Sequence, residues 1–167
     1  MKTAIIYAKS QHCTEKAVHE LMSRLSGDIE LIDLRHQSPP NLDQFDRIII
    51  GSSLRRGKVQ KEIQEFSKSN FSALQSKQIG LFVCSFNKPE IARGEMLKAY
   101  PEELHQLAKT EAIFKAELNA EKMNLLKKML VKRLPQVVQN DLKFDDQSID
   151  KFANRMERTY SPFMFLV

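Results

Sequence analysis

Apolar runs alternate with amphipathic segments along the first third of the chain. Residues 3–8 form a short apolar run, and apolar residues at positions 18, 21, 22 and 25 then follow at the spacing of one helix face. Gly27 ends this helix, and residues 29–34 alternate as a strand does. Residues 47–51 contain the run Ile-Ile-Ile, which is typical of a strand covered on both faces. The pattern predicts strand, helix, strand and strand, in that order.

The same alternation continues to the end of the chain. Val59, Ile63 and Phe66 have the spacing of a helix that covers the sheet, and residues 79–84 form a second fully apolar strand. The remaining predictions are a helix over residues 97–108 with Pro101 in its first turn, a last strand over 112–118, and helices over 119–134 and 146–159.

Strand and helix recur in the order of an open parallel sheet with right-handed crossovers, so the predicted class is α/β. The 167 residues suit one domain, spanning residues 1–167. Residues 119–145 are longer than a connection requires, and they are predicted to be an insertion between the last strand and the last helix.

Charge and cysteine content narrow the functional classes. The net charge of +5 favours anionic partners without naming one, and no nucleic-acid-binding signature accompanies it. Two cysteines exclude a disulfide scaffold and a four-cysteine metal site, and they suit a reducing cytoplasm. The first apolar run is too short for a signal peptide, and no apolar stretch is long enough to span a membrane. We expect a cytoplasmic protein.

The loops that follow Ala8, Gly51 and Cys84 are the candidate site, because parallel sheets bind ligands beyond the carboxyl ends of their strands. Residues 9–14 bring hydroxyls and backbone N–H groups to a helix N-terminus, where the helix dipole favours a phosphate. The alternative is that Ser10 or Thr14 simply caps the helix.

Residues 7–17, 45–58, 77–84 and 100–104 together resemble the flavodoxin-domain family, and most closely its branch of bacterial menaquinone-dependent protoporphyrinogen IX dehydrogenases. The resemblance implies a flavodoxin-like sandwich, with a five-stranded parallel sheet of order 2-1-3-4-5 between helices. It also implies noncovalently bound FMN and electron transfer. In the branch that carries the insertion, it implies oxidation of protoporphyrinogen IX in heme biosynthesis, with a menaquinone as acceptor.

The resemblance also assigns the FMN-binding positions. The first loop would hold the phosphate, residues 52–57 one side of the isoalloxazine and residues 84–88 the other. The cofactor-binding residues are therefore Lys9, Ser10, Gln11, His12, Cys13, Thr14, Ser52, Ser53, Leu54, Arg55, Gly57, Cys84, Ser85, Phe86 and Asn87. This chain has Lys9 and His12 where the family usually has Ser and Gly, and Lys115-Ala116 in place of Gly-Gly. A flavodoxin-fold binding module that has lost FMN is therefore the alternative function.

Several basic side chains near this site have more than one interpretation. Lys9 either pairs with the phosphate or is solvated, and His12 either donates to the phosphate or is exposed. Arg55, Arg56 and Lys58 would raise the reduction potential of a flavin, bind the propionates of a porphyrin, or remain solvated. No side chain is nominated as catalytic and none as a metal ligand, since a flavin would perform the redox chemistry.

Three further features bear on redox pairing and partners. Two inter-strand spacings, about 9–10 Å, separate the strands that precede Cys13 and carry Cys84, which is too far for a disulfide unless a loop folds back; each cysteine is expected to be a small buried residue. The apolar stripe of residues 123–134, flanked by lysines, either rests on an anionic membrane beside a quinone or packs on the core. The apolar residues 163–167 fill the core, contact a second subunit or touch a membrane.

Overall fold

The computed structural model describes residues 1–9, 13–54, 58–118 and 142–158. Within them, strands and helices alternate as the apolar pattern predicts. The strands are β1 (Lys2–Tyr7), β2 (Asp28–Asp33), β3 (Arg47–Ser53), β4 (Gln78–Ser85), β5 (Ala108–Leu118) and β6 (Leu142–Phe144). The helices are α1 (Cys13–Met22), α2 (Lys61–Ser69), α3 (Phe71–Leu74), α4 (Pro89–Ala99), α5 (Glu102–Leu107) and α6 (Asp146–Glu157), with a short 3₁₀ turn at Leu42–Gln44.

The strands form one sheet of order β2-β1-β3-β4-β5-β6. The first five are parallel, which confirms the predicted class and the order 2-1-3-4-5. The sixth strand was not predicted. It runs antiparallel to β5, pairing Phe144 with Ala116, and it lies inside the predicted insertion. Three residues are too few to show a strand periodicity. The helix predicted over residues 119–134 and the tail 163–167 lie outside the described residues.

Both faces of the sheet are buried, which explains why its central strands are apolar throughout. On one face, Ile48 and Ile50 of β3 pack with residues of α2, α3, α4 and α5. On the other face, Ile49 and Phe82 pack with residues of α1 and α6, among them Phe152. Successive residues of β3 therefore point into two different cores.

The helix prediction for residues 97–108 needs correction. The helix predicted over residues 97–108 is two helices, α4 and α5, with Pro101 immediately before the second. Proline has no N–H to donate, so it belongs at the start of a helix and not within one. Residues 89–96, the first eight of α4, were missed because only Ala92, Met96 and Ala99 of the helix are buried, which leaves a weak apolar stripe.

Element ends also differ from the pattern. Helix α1 ends at Met22, before the predicted residue 25, and Gly27 follows with φ 92°. A Cβ at Gly27 would stand 2.7 Å from the carbonyl oxygen of Met1, so glycine is required there by both conformation and space. Strand β5 begins at Ala108, four residues before the prediction, and its pairing with β4 shifts register between Ile79 and Gly80.

Candidate functional site

The carboxyl ends of β1, β3 and β4 lie side by side at one edge of the sheet. Tyr7 pairs with Gly51, and Ser53 pairs with Cys84, so the three loops that follow open onto the same edge. The structure thus brings Lys9, the start of α1, residues 52–54 and residues 84–87 to one region. Ser10, Gln11, His12, Arg55, Arg56 and Gly57 lie outside the described residues, so their roles stay predictions.

Lys9, the first residue of the predicted phosphate loop, is held through three groups. Its backbone N–H donates to Asp33 Oδ1 at 3.0 Å, and its carbonyl oxygen accepts from Arg35 Nη1 at 2.9 Å. Its ammonium pairs with Glu15, in the first turn of α1, at 2.8 Å. The sequence left two alternatives for the Lys9 side chain, a phosphate contact or solvation. In the structure, the side chain instead pairs with the Glu15 carboxylate.

Asp33 was not predicted as part of the site, although it ends β2 at the same edge. Besides Lys9, it accepts a hydrogen bond from the Arg35 N–H at 3.1 Å and contacts His36 Nδ1 at 2.7 Å. Partial burial acts to raise the pKa of the Asp33 carboxyl, but the hydrogen bonds from Lys9, His36 and Arg35 lower it overall. An aspartate that ends an edge strand could have indicated this role, but its partners follow only from the fold.

Thr14, in the first turn of α1, is completely buried. Among the residues that the structure describes, its hydroxyl oxygen has no hydrogen-bond partner. Buried hydroxyls are normally paired, because leaving one unpaired costs about 1–3 kcal/mol. A phosphate oxygen at the α1 N-terminus would supply the missing acceptor. By this criterion the site fits the phosphate of FMN.

Strand β3 ends in two buried hydroxyls, Ser52 and Ser53. Ser52 donates to the carbonyl oxygen of Ser53 at 3.1 Å, while Leu54 is half-buried. Gln60, which the sequence did not indicate, donates from Nε2 to Ser53 Oγ at 3.2 Å. Its Oε1 is buried and has no partner among the residues described. The second predicted side of the site therefore also contains an unpaired polar atom.

The loop after β4 combines a polar turn with an exposed aromatic ring. Ser85 is buried and accepts from the Asn87 N–H at 3.1 Å, and Asn87 Nδ2 donates to Glu95 at 2.9 Å. Phe86 between them is 55% exposed. An exposed ring in this position offers a flat apolar face to a ligand.

Tyr100 supports the strands beneath two of these loops. Its buried hydroxyl lies 2.7 Å from the carbonyl oxygen of Phe82 and 3.2 Å from that of Ile50. Burial raises the pKa of Tyr100 well above its ordinary value, and the nearby Cys84 thiol and Glu111 carboxylate raise it further. The tyrosine therefore remains a neutral donor, with its hydroxyl close to both β3 and β4.

Cys13 and Cys84 are free and buried, as expected, but they are not separated as expected. Burial raises the pKa of the Cys84 thiol, and a hydrogen bond with the neighbouring Cys13 thiol raises it further. From the sequence, Cys13 was expected beside β1. In the structure it is the first residue of α1, which packs across β3 and β4, and it lies near the end of β4.

Lys115 and Ala116, at the position of the family's Gly-Gly, lie within β5. The Ala116 side chain is buried, and Lys115 pairs with Glu117. Lys58 is exposed, and it has no ion pair among the described residues. In the described part of the chain, no group of side chains could hold a metal ion, and no helix is long and apolar enough to cross a membrane.

The family model for the flavodoxin domain matches residues 4–143. The chain belongs to the flavodoxin domain family. No curated protein matches the sequence of this flavodoxin domain. Its fold resembles that of a flavodoxin from Streptococcus pneumoniae TIGR4, with 13% identity, a TM-score of 0.53, and coverage of 93% of this chain and 97% of that one.

Two further structures share the fold. The two-electron reduced flavodoxin of Megasphaera elsdenii is 18% identical, with a TM-score of 0.51 over 66% of this chain and 84% of that one. Smu.1420 of Streptococcus mutans UA159 is 14% identical, with a TM-score of 0.50 over 84% of this chain and all of that one. At these identities the similarity establishes the fold alone.

Proposed function

We propose that this flavodoxin domain binds FMN noncovalently at the carboxyl edge of its sheet and passes electrons from a reduced substrate to a quinone or protein acceptor. One observation carries the proposal. In the first turn of α1, at the end of the loop that follows β1, the Thr14 hydroxyl is buried and has no partner within the described part of the chain. That is the position where a helix N-terminus favours a phosphate.

Each loop has a distinct role in this proposal. Residues 9–14 hold the phosphate, with Thr14 donating its hydroxyl hydrogen to a phosphate oxygen. Residues 52–57 and 84–87 enclose the isoalloxazine, and the exposed ring of Phe86 covers one face of it. When bound, FMN supplies the redox chemistry by accepting and releasing electrons. The protein binds it, orients it and limits its contact with water.

The substrate and acceptor are the finer part of the proposal. The sequence resemblance favours protoporphyrinogen IX, a heme precursor, as the electron donor and a menaquinone as the acceptor. Arg55, Arg56 and Lys58 follow β3 in the sequence and suit the propionates of a porphyrin, because guanidinium groups bind carboxylates in a planar fork. Peripheral contact with an anionic membrane would bring the domain to its quinone.

A non-enzymatic binding module is the second candidate, and the contacts of Lys9 favour it. The N–H and the ammonium of Lys9 already bond Asp33 and Glu15, so neither is free to contact a phosphate as the structure stands. Purified protein that is colourless and does not quench the fluorescence of added FMN would support this candidate and overturn the first.

The replacement of Thr14 by valine tests the phosphate site. We expect Thr14→Val to weaken FMN binding about tenfold, because one hydrogen bond to a charged group is lost. The same change should leave the free protein equally or more stable, because an unpaired buried hydroxyl is removed. FMN affinity is measured by fluorescence titration and stability by urea unfolding.

Thr3→Val is the matched control. Thr3 is equally buried, and its hydroxyl likewise has no partner in the described ranges, but it lies near the amino end of β1, away from the loops. We expect it to raise stability in the same way and to leave FMN affinity unchanged. Equal FMN affinity in both variants and the wild type would remove Thr14 from the site.

Electron transfer needs its own test. FMN-loaded protein, mixed with protoporphyrinogen IX without oxygen, should lose its yellow flavin absorbance as electrons reach the flavin. A short-chain menaquinone should then restore it. If the absorbance persists with the porphyrinogen but is lost with a chemical reductant, the porphyrinogen assignment is wrong and the FMN assignment stands.

A further inference from the structure

We propose that Asp33 and Arg35 act together as positioning residues that fix the start of the phosphate loop before FMN arrives. We call these two side chains the Lys9 anchor. The inference rests on the proposed function, since it assigns the loop's role to FMN binding. It concerns β2, the edge strand opposite β6, and no residue of β2 is among the predicted cofactor contacts.

The two anchor side chains form hydrogen bonds with the peptide groups on both sides of the Lys9 Cα. Asp33 Oδ1 accepts the N–H of Lys9 at 3.0 Å, and Arg35 Nη1 donates to the carbonyl oxygen of Lys9 at 2.9 Å. Just before this point, the N–H of Leu34 donates to the carbonyl oxygen of Tyr7 at 2.8 Å. The backbone at the end of β1 is therefore tied to the end of β2 at Tyr7 by a backbone hydrogen bond and at Lys9 by two hydrogen bonds to side chains.

The anchor is itself held in place. Asp33 Oδ1 also accepts the N–H of Arg35 at 3.1 Å, and Asp33 Oδ2 contacts His36 Nδ1 at 2.7 Å. The Arg35 guanidinium reaches Glu62 of α2 at 3.4 Å. The Asp33 side chain is 12% exposed, so water competes weakly for these contacts. Both anchor groups thus have fixed orientations, which positioning requires.

A loop without glycine benefits from such support. Residues 9–14 contain no glycine, and they must present their N–H groups to a phosphate in one arrangement. Fixing the loop beforehand removes an ordering cost that binding would otherwise carry. Because the Lys9 N–H is engaged by Asp33, it is not one of the backbone donors to the phosphate.

The sign of the change in FMN affinity distinguishes positioning of the loop from a direct effect of the Asp33 charge. Asp33 is an anion near the proposed phosphate site, so its removal would, by Coulomb's law alone, strengthen the binding of a phosphate dianion. If the carboxylate instead acts by positioning the loop, its removal weakens binding. The two mechanisms predict opposite signs for the same substitution.

The experiment compares FMN with riboflavin, which has the same ring system and no phosphate. We expect Asp33→Ala to raise the Kd for FMN tenfold or more and to change the Kd for riboflavin less than twofold. Arg35→Leu, at a half-exposed position, is a second variant that retains the fold if Asp33→Ala does not. It should produce a smaller loss in the same direction. Asp28→Ala is the matched control, because Asp28 lies at the amino end of the same strand and is exposed.

Amide hydrogen exchange gives a readout that requires no flavin. In the wild type the Lys9 amide should exchange slowly, and in Asp33→Ala it should exchange at least tenfold faster. Unchanged or tighter FMN binding in Asp33→Ala, or an equal loss for FMN and riboflavin, would overturn the inference while the proposed function stands. Wild-type protein that binds neither flavin would overturn the proposed function and the anchor's role together.

Discussion

Arg47 is the largest charged side chain in the interior and is 1% exposed. It lies at the start of β3, at the opposite end of the strand from the site, and its Nη1 donates to Glu157 Oε1 at 2.8 Å. The hydroxyl and N–H of Ser26 donate to the same carboxylate at 2.6 and 3.1 Å. Although partial burial acts to raise it, the hydrogen bonds from Ser26 and Arg47 hold the pKa of Glu157 at about 2.

We expect Glu157→Gln to lower the free energy of unfolding by about 2–3 kcal/mol at pH 7, because Arg47 stays buried without a full counter-charge. The loss should depend on pH. The pKa of Glu157 in the folded chain lies below its ordinary 4.5, so its contribution is complete above about pH 4.5 and disappears as pH falls towards 2. Urea unfolding of both proteins between pH 7 and pH 2 measures this.

The control is Glu103→Gln, at an exposed position in the first turn of α5. Its effect should stay within about 0.5 kcal/mol at every pH. If Glu157→Gln lost the same free energy at pH 2 as at pH 7, the carboxylate would not be the source of the stabilisation.

At the residue scale, the sequence indicated which positions lie at the site more readily than which groups each side chain contacts. Thr14 and Ser52 could be predicted because they follow strand ends in a parallel sheet, where ligands bind. Asp33 and Arg47 could not be assigned in the same way, because their contacts join segments distant in the chain. The error over Cys13 has the same cause, since only the path of α1 brings it to Cys84.

At the scale of elements, Gly51 shows how a strand accommodates its neighbour. A Cβ at this position would lie 1.9 Å from Cζ of Phe82, its cross-strand partner on β4. The Phe82 ring is fully buried and stacks on Phe114 at 4.7 Å between ring centroids. It cannot move aside without disturbing the core shared with α1 and α6. The glycine is therefore required by packing.

We expect Gly51→Ala to destabilise the protein by about 3 kcal/mol, because the added methyl group overpacks a rigid aromatic cluster. Gly94→Ala is the matched substitution in α4, where a Cβ would meet no atom within 4 Å. There we expect a gain of about 0.5–1 kcal/mol, since alanine favours the helix. Thermal and urea unfolding of the two variants measure both effects. Equal stability of the two variants would contradict this account of Gly51.

Strands could be predicted from the sequence where both of their faces are strongly buried. The apolar cores of β3 and β4 identified these strands from the sequence because both faces are covered. The start of α4 escaped prediction because three buried residues in eleven make a faint stripe. Strand β6 escaped because it is three residues long and is defined by its pairing with β5.

At the scale of the whole molecule, the two cores on opposite faces of the sheet explain why the architecture could be predicted. An alternation of strands and helices leaves few ways to cover a parallel sheet on both faces. The strand order came from the family resemblance, and the structure confirms it for the five parallel strands. The contents of the site depend on loop contacts, which the pattern of apolar residues does not encode.

Buried groups with raised pKa values set the alkaline limit of this fold. The pKa values of Tyr100 and Cys84 lie well above their ordinary 10.0 and 9.0 in the folded chain, mainly through burial. A raised pKa contributes stability that is complete below the ordinary value and is lost as pH rises beyond it. The free energy of unfolding should therefore decline above about pH 9.

Tyr100→Phe isolates one part of this decline. At pH 7 we expect a loss of about 1 kcal/mol, because the carbonyl oxygens of Ile50 and Phe82 lose their shared donor. Above pH 10 the difference from the wild type should shrink, because unfolding of the wild type is then favoured by ionisation of Tyr100 and the variant has no hydroxyl to ionise. Urea unfolding from pH 7 to pH 11 follows both curves. A constant difference across that range would mean that the tyrosine ionises equally well in the folded chain, which its burial between the two strands opposes.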